Sequence, residues 1–196
     1  IIYIAETRIP SEMAQGLQVM KMCEAFAKQG IDLELVVPRR FHIFPAEKES
    51  PFTYYKVEKI FKIRRIFCFD LTPLNRFLGP ISFLIQVLSF SFFATIYILF
   101  NPVIRRGKKA DIIYGRDRFT LFFLSFFKKN IVFEIHKIHR FLFKRVFKKA
   151  RKLIVITDGL KKALINKGIS ADKILIAPDG VDLGDFEITE SEEECR

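Results

Sequence analysis

Residues 111–136 read D-I-I-Y-G-R-D-R-F-T-L-F-F-L-S-F-F-K-K-N-I-V-F-E-I-H, and this stretch decides the fold. One short apolar run ends in charge at Arg116 and Asp117, and a second ends in Glu134, Ile135 and His136. Arg118 to Phe127 supplies a helix-length apolar segment between them. Two strands joined through a helix lie parallel in one sheet and release their chains at the same edge. In open α/β sheets the carboxyl edge is where ligands bind. Arg116, Asp117, Glu134 and His136 are therefore expected at a cleft rim.

Working outward, the same alternation covers the chain. I-I-Y-I-A (1–5) is a buried first strand, and the helix after it carries Val19, Met22, Cys23 and Phe26 at i, i+3, i+4, i+7 spacing, with Gly30 as its natural stop. Between them runs E-T-R-I-P-S-E-M-A-Q-G (6–16), which places Gly16 where the helix amides begin. Such a loop suits close approach of a phosphate; an ordinary β-α turn with a helpful glycine explains it as well. L-E-L-V-V-P (33–38) is a second strand that Pro38 ends, and residues 62–69 are a third. K-L-I-V-I-T (152–157), a helix closed by Gly168, and K-I-L-I-A-P (173–178) complete the order. A doubly wound parallel α/β sheet follows.

Two segments need separate reading. Residues 81–100 carry no charge and are long enough to cross a bilayer, yet Ser82, Gln86, Ser89, Ser91 and Thr95 temper them, and the sheet needs a crossover helix there. A buried or half-buried domain helix is the reading preferred over a span. Residues 137–152 hold eight cations and no acid, with Phe143, Val146, Phe147 and Ala150 at helical spacing among them. Lys137, Arg140, Lys144, Arg145, Lys148 and Lys149 with Phe141, Phe143 and Phe147 compose a basic amphipathic helix suited to an anionic membrane surface. A helix whose phenylalanines all face the sheet, leaving a solvated basic rim, is the competing reading.

The chain of 196 residues, half of it hydrophobic, can bury a full core. Its three cysteines, Cys23, Cys68 and Cys195, are odd in number and lack close metal-ligand spacing, and no secretory signal is present, so a reducing cytoplasmic setting is expected. The net charge of +11 suits nucleic acid, anionic lipid or phosphorylated substrates alike. Most phenylalanines sit at core spacing and no RNA or DNA motif occurs, which weighs against nucleic acid. The absence of G-x-G-x-x-G weighs against a dinucleotide cofactor, and no cofactor is expected.

R-I-P-S-E-M-A-Q-G-L-Q-V, G-I-D-L-E-L-V-V-P, D-I-I-Y-G-R-D, F-E-I-H, L-I-V-I-T-D-G-L-K and I-A-P-D-G-V-D-L-G-D-F together resemble the N-terminal domain of family 4 glycosyltransferases of the GT-B fold. Asp179 stands where that family's closing P-N-G-V-D-like segment usually has Asn. The resemblance implies a Rossmann-like acceptor-side domain over residues 1–186, with 187–196 opening a linker to a nucleotide-sugar-binding domain not in this chain. It implies transfer of a sugar from a nucleotide-sugar, with retention, to a sugar or lipid-linked acceptor, on the inner face of a membrane or in the cytoplasm. By position, His136 matches the family's sugar-contacting His, and Gln15 with Gly16 its donor loop. Arg8, Glu12, Arg116 and Glu134 are candidate cleft or acceptor groups, although surface ion pairs explain them equally, and Asp117 serves as well as a helix cap. Glu134, His136 and His139 are too poorly spaced for a metal site. A GT-B sugar-nucleotide epimerase and a basic nucleic-acid-binding domain are the alternatives.

Overall fold

Every strand expected from the sequence forms in the structure, a computed structural model that describes residues 1–40, 49–71, 74–100, 112–138 and 144–181. In chain order the elements are β1 (Ile2–Ile4), α1 (Ala14–Lys28), β2 (Glu34–Arg39), α2 (Pro51–Tyr54), β3 (Lys62–Phe67), α3 (Asn75–Leu78), α4 (Pro80–Phe100), β4 (Ile113–Gly115), α5 (Arg118–Leu124), β5 (Ile131–Ile135), α6 (Lys144–Lys149), β6 (Lys152–Val155), α7 (Asp158–Ile165) and β7 (Ile174–Ile176). The seven strands form one sheet in the order β3-β2-β1-β4-β5-β6-β7, all parallel. The winding reverses between β1 and β4, and the chains diverging there open a crevice at the carboxyl edge. Ile4 pairs with Gly115 at that point, and a Cβ on Gly115 would lie 2.6 Å from the Ile4 carbonyl oxygen. Glycine is what lets the two strands meet.

Alternation along the strands divides the core in two. Ile2, Ile4, Ile131, Phe133 and Ile135 face one cluster, to which α4 adds Phe90, Ala94 and Ile98, α5 adds Leu121 and Leu124, and α6 adds Val146 and Phe147. Tyr3, Ala5, Leu35 and Val37 face the other, where α1 contributes Val19, Met20 and Cys23. Each such side chain stabilises by roughly 1.5–3 kcal/mol on leaving water. The expected apolar stripe of α1 is rotated slightly: Met20 is fully buried, whereas Met22 and Phe26 pack only partly. Gly30 follows the helix with φ +79, as a left-handed stop requires.

Two expectations are corrected. Pro38 does not end β2, because Arg39 still pairs with Phe67. Val36 is the last residue that β1 engages, its carbonyl accepting from the Ala5 N–H, so two residues on Pro38 turns its missing N–H to a side where β1 has already stopped. Among the described residues the basic helix is Lys144–Lys149, with Lys137 outside it, and it buries Val146 and Phe147, with the Phe147 ring stacked 5.7 Å from Phe133. Lys144, Arg145, Lys148 and Lys149 remain on its exposed side. Arg140, Phe141, Phe143 and His139, like the boundary at 186, lie outside the described residues. The crossover helix α4 is half-buried, as expected. Ser82, Gln86, Ser91 and Thr95 are on its buried side, and Ile81, Leu84, Leu88, Phe92, Ile96 and Phe100 are exposed. The inner hydroxyls are satisfied by the helix itself, Ser91 donating to the Val87 carbonyl at 2.8 Å and Thr95 to Ser91 at 2.7 Å.

Candidate functional site

A cleft of about 300 Å³ opens where β1, β4 and β5 end, lined by Glu6, Gln15, Phe83, Val87, residues 116–119 and residues 133–137. At its floor Glu134, only 3% exposed, is the hub. The Tyr114 hydroxyl donates to Glu134 Oε2 at 2.5 Å, and His136 Nε2 lies 2.5 Å from Oε1. Strand pleating explains the second contact, since residues two apart on β5 project to the same side. Arg116 Nε stands 3.8 Å from the same Oε1. Its terminal nitrogen donates to the Gln18 side chain, which in turn donates to Asp179. Asp179 closes the ring, with Oδ2 3.9 Å from His136 Nδ1. His136 thus meets Glu134 through Nε2 and turns Nδ1 toward the Asp179 side. Burial first, and then the Glu134 carboxylate, push the Tyr114 phenol far above its ordinary range, so it stays a donor.

Asp117 has its second reading: it is 7% exposed and caps α5, accepting from the N–H groups of Phe119 at 3.1 Å and Thr120 at 3.2 Å and from the Thr120 hydroxyl. Glu6 sits across the cleft. Burial lifts its carboxyl to about 7, opposed by Arg40 at 3.0 Å and by Gln86, whose amide donates at 2.9 Å.

The structure thus gathers Gln15, Arg116, Glu134 and His136 in one cleft, and Lys137, expected at a membrane, lines it beside His136. Gly16 is buried in the first turn of α1. Its N–H donates to Met13 at 2.9 Å, and an added Cβ would fall 2.3 Å from the Tyr55 hydroxyl oxygen. The space that glycine leaves is filled by Tyr55. Arg8 lines a separate cavity of about 190 Å³ with Ile9, Pro38, Arg39, Arg40 and Arg65, and Glu12 is exposed on the turn before α1. Glu134, His136 and Asp179 are the one described trio with ligand atoms close enough for a metal ion, within 4.8 Å of one another. Arg116 already brings positive charge to that carboxylate. Sequence reading missed Glu6, Gln18, Tyr114 and Asp179 as site groups. Glu6 was readable, since it is the first charged residue after β1 and the carboxyl-edge rule applies to that strand too.

Among solved structures, Anabaena HepE in complex with UDP-glucose is similar over 93% of this chain and 44% of that one, at 12% identity and a TM-score of 0.54. A putative UDP-N-acetylglucosamine 2-epimerase from Listeria monocytogenes is similar over 89% of this chain and 43% of its own, at 10% identity and a TM-score of 0.57. The chain spans less than half the length of these structures, and at such identity the likeness shows the fold. No curated protein sequence is a match. Residues 15–185 match the family described as Glycosyltransferase Family 4, and with the cleft at the reversal of its parallel sheet the chain belongs to that family.

Proposed function

We propose that this chain is the acceptor-side half of an enzyme that transfers a sugar from a nucleotide-sugar, with retention, to a sugar or lipid-linked acceptor. The observation that carries the reading is the ring around Glu134 at the floor of the cleft, in which His136 and Arg116 are both fixed by one buried carboxylate. In the reaction the bond from the anomeric carbon to the departing diphosphate breaks as the acceptor oxygen bonds to that carbon on the same face. The acceptor's proton leaves with the diphosphate. Positive charge develops on the ring and negative charge on the phosphate, so preorganised donors at both places lower the barrier. His136 offers its second nitrogen to a sugar hydroxyl. Gln15 and Arg116, which both line the cleft, serve the phosphate side.

The arginine-lined cavity beside Arg8 suits an acceptor with a phosphate or carboxylate. Arg40 bonds Glu6 through one terminal nitrogen, and its buried Nε has no partner among the described residues. The nucleotide is assigned to a second half outside these residues, and the chain alone is expected to turn over no donor. Incubating the full-length protein with a panel of nucleotide-sugars and acceptors, then reading the product's anomeric configuration by NMR, tests the reading. Retention in an acceptor-linked product supports it. Epimerised donor without any acceptor-linked product overturns it in favour of an epimerase, and salt-sensitive retention of RNA on filters with no sugar chemistry overturns it in favour of a nucleic-acid binder.

A further inference from the structure

We propose that the outward face of α4, continued by the end of α5, docks the protein on an anionic bilayer, lying among the headgroups without crossing. Among the described residues α4 is the one helix long and apolar enough to span a membrane, and 39% of its most apolar window is buried. That burial commits one side of the helix to the sheet. Gln86 reaches Glu6, Phe90, Ala94 and Ile98 enter the core, and the inner hydroxyls bond within the helix. The opposite side carries Ile81, Leu84, Leu88, Phe92 and Ile96 at steps of three and four, an exposed stripe about 23 Å long at 1.5 Å per residue. Exposed apolar side chains gathered along one face in this way mark a surface for docking rather than scattered exposure.

The patch does not stop at α4. The neighbouring α5 packs against it and is followed by Phe126 and Phe127, 52% and 66% exposed. Arg145 of α6 lies 3.9 Å over the Phe126 ring, so aromatic surface and basic surface meet there. Lys128 and Lys129 end the same segment, and Arg76 precedes α4. An apolar stripe without charge, bordered by cations, matches acyl chains beneath anionic headgroups. A second copy is a poorer match, because a two-fold contact through this face brings its cations against themselves. A further domain that completes the cleft would face the carboxyl edge, whereas this stripe points away from the sheet.

Phe83 on the same helix lines the cleft, so a docked bilayer would lie beside its mouth. An acceptor carried on a lipid would then present its head to the site, although the surface stands whether or not the cleft transfers sugar.

The test is co-sedimentation of the full-length protein with vesicles of phosphatidylcholine alone or mixed with phosphatidylglycerol. The wild type is expected to pellet with the mixed vesicles only, less so in high salt. Leu88→Ser/Phe92→Ser/Ile96→Ser and, separately, Lys128→Glu/Lys129→Glu are each expected to lower partitioning about tenfold or more. Circular dichroism checks their folding, and Ile81→Ser/Leu84→Ser gives a second reading of the stripe should the first variant lose helix. Recovery in the supernatant with both vesicles overturns the proposal. So does undiminished pelleting of both stripe variants, resistance to alkaline extraction as a spanning protein shows, or a dimer that the stripe variants dissociate while vesicles bind nothing.

Discussion

His136 takes its orientation from a carboxylate that the fold has already buried, and that division of labour separates its catalytic from its structural weight. The imidazole is at the rim, with a side chain 22% exposed, and Glu134 keeps Tyr114 and Arg116 if it is removed. His136→Ala is therefore expected to lower kcat/KM of the full-length enzyme by about 10²-fold, the scale of one lost electrostatic donor. Its unfolding free energy should fall by about 1.5–3 kcal/mol, the value of one hydrogen bond to a charged group. Urea titration beside steady-state kinetics checks both, and a loss of about 4–5 kcal/mol, the upper range of a core truncation such as Leu121→Ala, with kcat/KM unchanged would make His136 a structural residue instead. Glu6 makes a pH prediction. Its folded carboxyl, raised to about 7 by burial against the pull of Arg40 and Gln86 and with Asp117 adding to the rise, holds a proton more tightly than the unfolded chain does. Stability from this group is full below the ordinary glutamate range, near 4.3, and is lost progressively as pH climbs to about 7, by about 3 kcal/mol in all. Glu6→Gln removes that slope, so the gap in urea midpoint between variant and wild type should widen in the variant's favour from about pH 5 to about pH 8. A constant gap would show that Arg40 compensates fully.

At the scale of elements, the entry to α1 turns on two residues far apart in sequence. The Tyr55 hydroxyl accepts from the Ser11 N–H at 2.7 Å and donates to its carbonyl at 2.8 Å, and Gly16 leaves the room it needs. Gly16→Ala should destabilise by about 1–3 kcal/mol through overpacking, and Tyr55→Phe by about 1–3 kcal/mol through unpaired Ser11 groups. The double variant should cost less than the sum, since the phenyl ring withdraws the atom that the new methyl meets; chemical denaturation of all four proteins reads the coupling. No pattern in the loop from Glu6 to Gly16 announced this contact, because it depends on α2, which short-range spacing does not reach. The strands were legible for the opposite reason: Ile131 to Ile135 and Lys152 to Val155 are apolar runs whose burial is set by the sheet itself. The Asp117 cap was legible too, an acid standing just before an apolar helix. Gln18 was missed because hydropathy sorts helix faces by solvent, and a polar cleft looks like solvent to such a rule. In α4 the same rule had nothing to sort, since both faces are apolar enough for the core and only packing says which one is outside.

For the whole molecule, the arrangement that matters is that the cleft groups gather along one edge of the sheet. Glu6, Gln15, Arg116 and His136 come from segments that all leave the sheet at its carboxyl edge, and the chain spans 44% of the length of the HepE structure it resembles. A donor held chiefly on an opposing half should stabilise that half, and this one only through the few contacts Gln15, Arg116 and His136 provide. Ligand that binds only the folded state raises stability by about 2.7 kcal/mol at a hundredfold excess over its Kd. Thermal unfolding with a panel of nucleotide-sugars should therefore raise the Tm of the full-length protein by several degrees for the true donor, about 2–4 °C per kcal/mol for a chain of this order of size. Residues 1–196 alone should move by a small fraction of that at the same concentration. An equal shift in both would place the nucleotide on this half. In that case the Arg40 cavity and the opening of α1 would have to hold the diphosphate, and the assignment of this half to the acceptor would be wrong.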